Sequence, residues 1–194
     1  LDEGRSPRSF NAQYLKAPIN DIQAGKQVLD AIANGNPRIG VVWEGNQQNR
    51  KGMKRSIPTA VFMDFLQSVP SHCTFFCLQP NWAGRETQLP NGSRICSFDH
   101  PPEDLAVTAG VIANLDLVVT VDTAVAHLSA ALGIDTRLLL CSSPDWRWVN
   151  GGQADLWYPG MRIYKQRKYG DWSAPLKCLG VDLIHEIQSM LGHQ

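Results

Sequence analysis

No Cys-x-x-Cys pair occurs in the 194 residues of this chain. Its five cysteines, Cys73, Cys77, Cys96, Cys141 and Cys178, lie mostly within or beside apolar runs, and an odd number leaves one over from any complete pairing. That argues against a disulfide framework and for reduced, buried thiols. Neither sign of charge prevails: 18 Lys and Arg balance 18 Asp and Glu, so no overall field draws the chain to nucleic acid or anionic lipid. No apolar stretch approaches the roughly 18 residues of a membrane span, and the polar, charged first ten residues lack the shape of a signal peptide. A cytoplasmic protein is expected. No Gly-x-Gly-x-x-Gly follows the first expected strand, because Gly40, Gly45 and Gly52 are wrongly spaced, and no Gly-Lys-Ser/Thr loop exists. Nicotinamide dehydrogenases and P-loop NTPases thereby lose most of their support. No two aspartates stand two residues apart, which removes the simplest carboxylate clamp for a metal–diphosphate complex. A phosphate site here is expected to use protein cations and no metal. Internal repeats and low-complexity tracts are also absent.

What is present is ordinary in bulk: 43% hydrophobic and 19% charged residues suit one compact α/β domain. Residues 1–13 carry no periodicity and residues 14–18 read as an extended linker, so 1–18 form an irregular arm and linker and 19–194 the domain. With Asn20 as cap, a helix runs to about Ala33 with Ile22, Leu29 and Ile32 on one side, stopped by Asn34-Gly35-Asn36-Pro37. Residues 38–43 make the first strand and 44–55 a basic, glycine-containing loop. Ser56-Ile57-Pro58 then opens a helix whose inner face is Val61, Phe62, Phe65, Leu66 and Val69. Strands follow at 74–78 and 94–98. Pro101, Pro102, Glu103 and Asp104 start a helix with Leu105, Ala109 and Ile112 on one face and Thr108, Val111 and Leu115 on another. Further strands at 117–121, 136–141 and 161–164 precede a closing helix over 173–191, with Leu179, Leu183, Ile187 and Met190 inward. Strands alternating with helices predict right-handed βαβ units, hence an α/β fold with a parallel sheet covered on both faces.

The junction at residues 117–133 is the most informative stretch. Leu117–Val121 is a continuous run of apolar and β-branched residues, as suits a strand covered on both faces. The spacing of Val125, Leu128 and Leu132 then gives a helix ended by Gly133. This helix starts at the carboxyl end of a buried parallel strand, where its free N–H groups and dipole favour an anion. Thr123 adds a hydroxyl, and His127 lies one turn along the same face. Taken singly, Asp122 also suits a cap, Thr123 a first-turn position and His127 a satisfied core histidine. A dipole interaction contributes about 0.3–1 kcal/mol, whereas micromolar binding needs about 8 kcal/mol, so other contacts must exist.

Polar residues follow every one of the first five strands: Asn46 to Arg55 after the first, Gln79 after the second, Asp99 after the third, Asp122 and Thr123 after the fourth, and 142–148 after the fifth. In parallel sheets ligands bind outside the carboxyl ends of the strands, near the reversal of strand order. On the loop after the first strand, Arg50, Lys51, Lys54 and Arg55 are cations for phosphate or simply a solvated basic loop, and Lys54, preceding the helix cap, is the chosen candidate. Trp43, Trp146 and Trp148 suit either packing or contact with a base or sugar.

These segments together resemble one family. They are Arg38-Ile39-Gly40-Val41-Val42-Trp43-Glu44-Gly45-Asn46, Arg55-Ser56-Ile57-Pro58, Thr120-Val121-Asp122-Thr123-Ala124-Val125-Ala126-His127-Leu128, Pro144-Asp145-Trp146-Arg147-Trp148, Trp157-Tyr158-Pro159 and Gly170-Asp171-Trp172. The resemblance, spanning about Tyr14 to Leu191, is to the C-terminal half of GT-B glycosyltransferases of the heptosyltransferase-like type, in the variant often joined to tetratricopeptide repeats. It implies a Rossmann-like α/β/α domain that binds a nucleotide-diphospho-sugar as substrate, with no further cofactor and no metal. By that resemblance Asp122, Thr123, Ala124 and His127 match the diphosphate-binding turn, with Asp122 near the sugar. Lys54 sits where the family offers a cation, the nucleotide base is expected near Gln79 and the segment from Asp99 to Leu105, and Asn46 joins the donor-binding set.

The family's acceptor site and usual catalytic base lie in an N-terminal half, for which nothing before Tyr14 is long enough. The chain is therefore expected to bind donor but not to transfer sugar alone, needing that half or another chain. The acceptor, whether glycan, lipid-linked sugar or protein, is left open. Three readings stand: the donor half of an inverting, metal-independent glycosyltransferase, a non-catalytic nucleotide-sugar sensor or scaffold, and, more weakly, an epimerase-like enzyme of the same architecture.

Overall fold

The computed structural model describes residues 13–48, 50–69, 72–79, 95–97, 105–148, 158 and 160–192. Among these residues six parallel strands form one sheet: β1 (Arg38–Val42), β2 (Thr74–Cys77), β3 (Ile95–Cys96), β4 (Leu117–Val121), β5 (Thr136–Leu140) and β6 (Arg162–Lys165). Their order is β3-β2-β1-β4-β5-β6. From β1 the chain moves outward to β2 and β3, then returns to pair β4 on the other side of β1, with Val41 opposite Val119 and Val42 opposite Thr120. Direction thus reverses between β1 and β4, where a crevice must open at the strands' carboxyl ends. Strands β4 and β5 are buried along their whole length, as parallel strands sandwiched by helices have to be.

The helices are α1 (Ile19–Ala33), α2 (Arg50–Arg55), α3 (Thr59–Ser68), α4 (Leu105–Ile112), α5 (Ala124–Ala131) and α6 (Ser173–Leu191). Helix α1 packs on α4 and α4 on α5, whereas α3 packs on α6. Right-handed crossovers on either side of the reversal put these two groups on opposite faces of the sheet, giving the expected three layers. Between α1 and α4 the backbones nearly touch: a Cβ on Gly110 would lie 2.4 Å from the carbonyl carbon of Asp21, and one on Gly25 would lie 2.8 Å from the Gly110 oxygen. Helix α5 ends at Gly133, whose φ of 78° is the left-handed conformation that glycine adopts without penalty.

Several expected details change. Asn20 lies inside α1 and Pro18 takes the cap position, the helix beginning two residues before a cap at Asn20 would have it. Part of the basic loop is helical, as α2. On α3 the buried side chains are Phe62, Met63, Phe65 and Leu66, while Val61 faces out at 42% exposure. Leu105 at the start of α4 is likewise exposed, and Ala109 and Ile112 carry that face's packing. The strand at 94–98 is described only at Ile95–Cys96, and the proline-rich helix start at 101–104 lies outside the described residues. Strands four and six fall within a residue of their expected places, and the closing helix has its expected limits.

Candidate functional site

The loop from β1 is folded back by a tight fit. A Cβ on Gly52 would stand 1.8 Å from the Asn46 oxygen, and one on Gly45 would stand 2.8 Å from the Gly52 oxygen, so α2 can lie against the turn only because both positions are glycine. The Ser56 hydroxyl donates to the Gly52 carbonyl at 2.9 Å and accepts from the Gly45 N–H at 3.0 Å. This packing brings Arg55, the last residue of α2, to the end of β4. There its Nη1 donates to the Asp122 carbonyl at 2.9 Å and lies 3.3 Å from Asp122 Oδ2. Asp122 is 4% exposed, and its Oδ2 accepts no hydrogen bond among the described residues.

Thr123 occupies the cap position of α5 in an extended conformation, yet no side chain caps the helix. Its hydroxyl lies 3.2 Å from that of Thr120 instead. Among the described residues, the first turn of α5 thus borders the crevice with no side-chain capping hydrogen bond to its N–H groups. Two cavities meet there. One, of about 600 Å³, is bounded by Glu44, Gly45, Asn46, Gln79 and the residues around it. The other, of about 480 Å³, is bounded by Tyr14, His127, Trp146, Arg147, Trp148 and Tyr158. Arg55, Asp122, Thr123 and Ala124 border both.

The second cavity has an aromatic wall. His127 stacks on Trp148 with ring centroids 5.2 Å apart, and its Nδ1 lies 2.9 Å from the Tyr158 hydroxyl. Burial pushes the imidazole below its ordinary pKa against the opposing pull of the Asp122 charge, which favours the neutral ring. Trp146 is 69% exposed, with the Arg147 guanidinium 5.1 Å from its ring centre.

The candidates separate accordingly. Asp122, Thr123, Ala124, His127 and Trp146 come together in the crevice, and Asn46 lines its other end. Lys54 borders neither of these cavities; with Lys51, Arg55, Ser143 and Asp145 it lines a smaller one of about 190 Å³, and Arg55 is the cation whose guanidinium meets the turn. Trp43 is fully buried, stacks on Phe62 at 5.3 Å and donates to Thr59 Oγ1 at 3.2 Å, so its side chain belongs to the core and lines neither cavity. Gln79 is buried, its Oε1 accepting the N–H groups of Trp43 at 2.8 Å and Glu44 at 2.6 Å. It closes the turn after β1, even though it also borders the larger cavity. Asp99 lies outside the described residues. Arg55 is one of the four cations the sequence offers on this loop, though Lys54 is the one chosen there, and Tyr158 is not a candidate from the sequence, although it sits in Trp157-Tyr158-Pro159.

Gln79→Leu is expected to lower stability by about 1–3 kcal/mol, since two buried N–H groups lose their acceptor. Chemical denaturation with an unchanged m value is the check. A variant as stable as the parent would mean that other acceptors serve those groups.

A six-stranded parallel sheet in this order, with its crevice at the β1/β4 reversal, is a Rossmann-like α/β fold. The family model for glycosyltransferase family 9 (heptosyltransferase) matches residues 82–138. Among solved structures, the E. coli ADP-heptose lipopolysaccharide heptosyltransferase II superimposes with a TM-score of 0.63 at 15% identity over 89% of this chain and 54% of that one. The E. coli heptosyltransferase WaaC with ADP gives 0.54 at 16% identity, over 81% of this chain and 46% of that one. A family 9 glycosyltransferase from Veillonella parvula DSM 2008 gives 0.59 at 11% identity, over 93% and 54% respectively. The chain thus spans about half the length of these structures, and its fold is theirs. No curated protein matches. Among the described residues, no helix is long and apolar enough to cross a membrane.

Proposed function

We propose that the crevice binds a nucleotide-diphospho-sugar and that the chain is the donor-binding half of an inverting, metal-independent GT-B glycosyltransferase. One observation carries this reading: both cavities meet at the uncapped first turn of α5, beside the Arg55 guanidinium. A diphosphate seated at that turn would face helix N–H groups and a fixed cation, with the nucleoside extending past Gln79 and Asn46. The sugar would extend toward Asp122, His127 and Trp146. As the glycosidic bond breaks, negative charge grows on the leaving nucleoside diphosphate, and donors already aimed there lower the barrier. The helix terminus supplies about 0.3–1 kcal/mol and a charge-assisted hydrogen bond about 1.5–3 kcal/mol. Most of the affinity therefore has to come from the nucleoside and sugar held in the two cavities. Supporting the reading further are the match to the family 9 model and the similar structures of heptosyltransferase WaaC with ADP and with ADP-2-deoxy-2-fluoro heptose. The acceptor and the catalytic base are assigned to the other half of the GT-B architecture, so this chain alone is expected to bind donor without turnover.

Calorimetric titration with UDP, ADP and GDP in the presence of a chelator tests the proposal. One nucleotide is expected to bind, and Thr123→Val and His127→Ala each to weaken it by about three- to tenfold. Affinity unchanged in both variants would move the site elsewhere.

A further inference from the structure

His127 has two ring nitrogens, and in the neutral ring one accepts while the other donates. Which does which depends on its partner. Tyr14 Oη donates to Tyr158 Oη at 3.3 Å, so the Tyr158 oxygen already receives a proton and its own hydrogen needs an acceptor. Nδ1 of His127 is 2.9 Å away. The opposite arrangement would have Tyr158 accept twice and leave its own hydrogen without that partner.

We propose that Tyr158 is a positioning residue for His127: its hydroxyl donates to Nδ1, fixing the imidazole as the Nε2–H tautomer, so that the ring offers the crevice a hydrogen-bond donor. That the donor meets a nucleotide-sugar rests on the reading above. The assignment of the tautomer does not.

The surroundings hold this arrangement in place. Trp148 lies nearly parallel to the imidazole, at 20° between planes, and the Tyr158 ring tilts against it at 5.6 Å, which limits rotation of the ring. Burial favours the uncharged imidazole and keeps the Tyr158 phenol protonated, pushing its pKa upward. Tyr14 comes from the segment before α1, and its position is set by the N–H groups of Tyr14 and Leu15, both donating to the Ala131 carbonyl at 3.0 Å. Three distant parts of the chain thus converge on one nitrogen.

Long-range proton–nitrogen correlation spectra of the nitrogen-15-labelled chain, recorded at neutral pH without ligand, read the tautomer directly. The His127 proton is expected on Nε2 in the parent. In Tyr158→Phe, which keeps the ring stacking, it is expected to be shared between Nε2 and Nδ1, with Tyr14→Phe shifting the same balance less. ADP titrated into Tyr158→Phe is expected to bind about fivefold more weakly than to the parent. A parent proton on Nδ1, or a tautomer that Tyr158→Phe leaves unmoved, overturns the proposal. A parent protein that takes up no UDP, ADP or GDP would overturn the nucleotide reading instead, while the ligand-free spectra still decide the tautomer.

Discussion

Arg55→Met is expected to cut nucleotide affinity by about 10- to 100-fold, the range of one charge-assisted hydrogen bond. Arg55 is the cation that the packing of Gly52 on Asn46 delivers to the turn before α5. The same substitution should also cost about 1–3 kcal/mol of stability. It leaves the Asp122 carboxylate, whose side chain is 5% exposed, without its charged neighbour. Breaking a fully buried pair costs more, but Arg55 is 26% exposed and water screens part of the interaction. Adding Asp122→Asn should recover stability without recovering affinity, because the charge requiring compensation is gone while the ligand still lacks its partner. Lys54→Met, in the neighbouring small cavity, should change affinity less than threefold. Calorimetry and denaturant melts of the four proteins separate these effects. Parent-like binding by Arg55→Met together with a large loss in Lys54→Met would return the phosphate cation to Lys54.

Gly110→Ala is expected to destabilise the domain strongly by adding a single methyl group between two helices. The new Cβ would meet the backbone of Asp21 at 2.4 Å, and backbone cannot rotate out of the way, so α1 has to lift from α4. Overpacking of this kind costs about 1–3 kcal/mol, sometimes more, and outweighs the gain of up to about 1 kcal/mol from alanine's helix propensity. A net cost of about 1–2 kcal/mol, at roughly 2–4 °C per kcal/mol for a domain of this size, should lower the midpoint by about 2–8 °C. Gly180→Ala in α6 is the matched control. Its Cβ would sit 3.4 Å from a ring carbon of Phe65, a contact the ring can relax, and the variant should melt at or slightly above the parent. Equal melting of both variants would refute the close helix contact.

The readable parts of the sequence were those where one physical requirement governs every position. Strand β4 needs burial on both faces, so all of Leu117–Val121 is suited to a covered strand, and its limits were evident. The 19-residue α6 shows its inner face through Leu179, Leu183 and Ile187, and its limits were evident too. Helix α2 was not readable, because its six residues carry no apolar period and it is held by glycine contacts with residues 45 and 46. That omission explains the choice between Lys54 and Arg55. Successive side chains on a helix diverge by about 100°, so the residue facing the crevice cannot be chosen until the helix is known. Tyr158 was hidden for a different reason: its partner His127 is 31 residues away, beyond any local pattern.

The two outermost strands bear on how the molecule behaves in concentrated solution. An open sheet offers unpaired N–H and C=O groups along its borders, and these invite another chain to add a strand. Among the described residues β3 spans only two positions, and β6 holds exposed charges at both ends, Arg162 and Lys165, around the half-buried Ile163 and the buried Tyr164. A second copy approaching β6 would bring like charges together and strip water from them, so border-to-border aggregation through that strand is disfavoured.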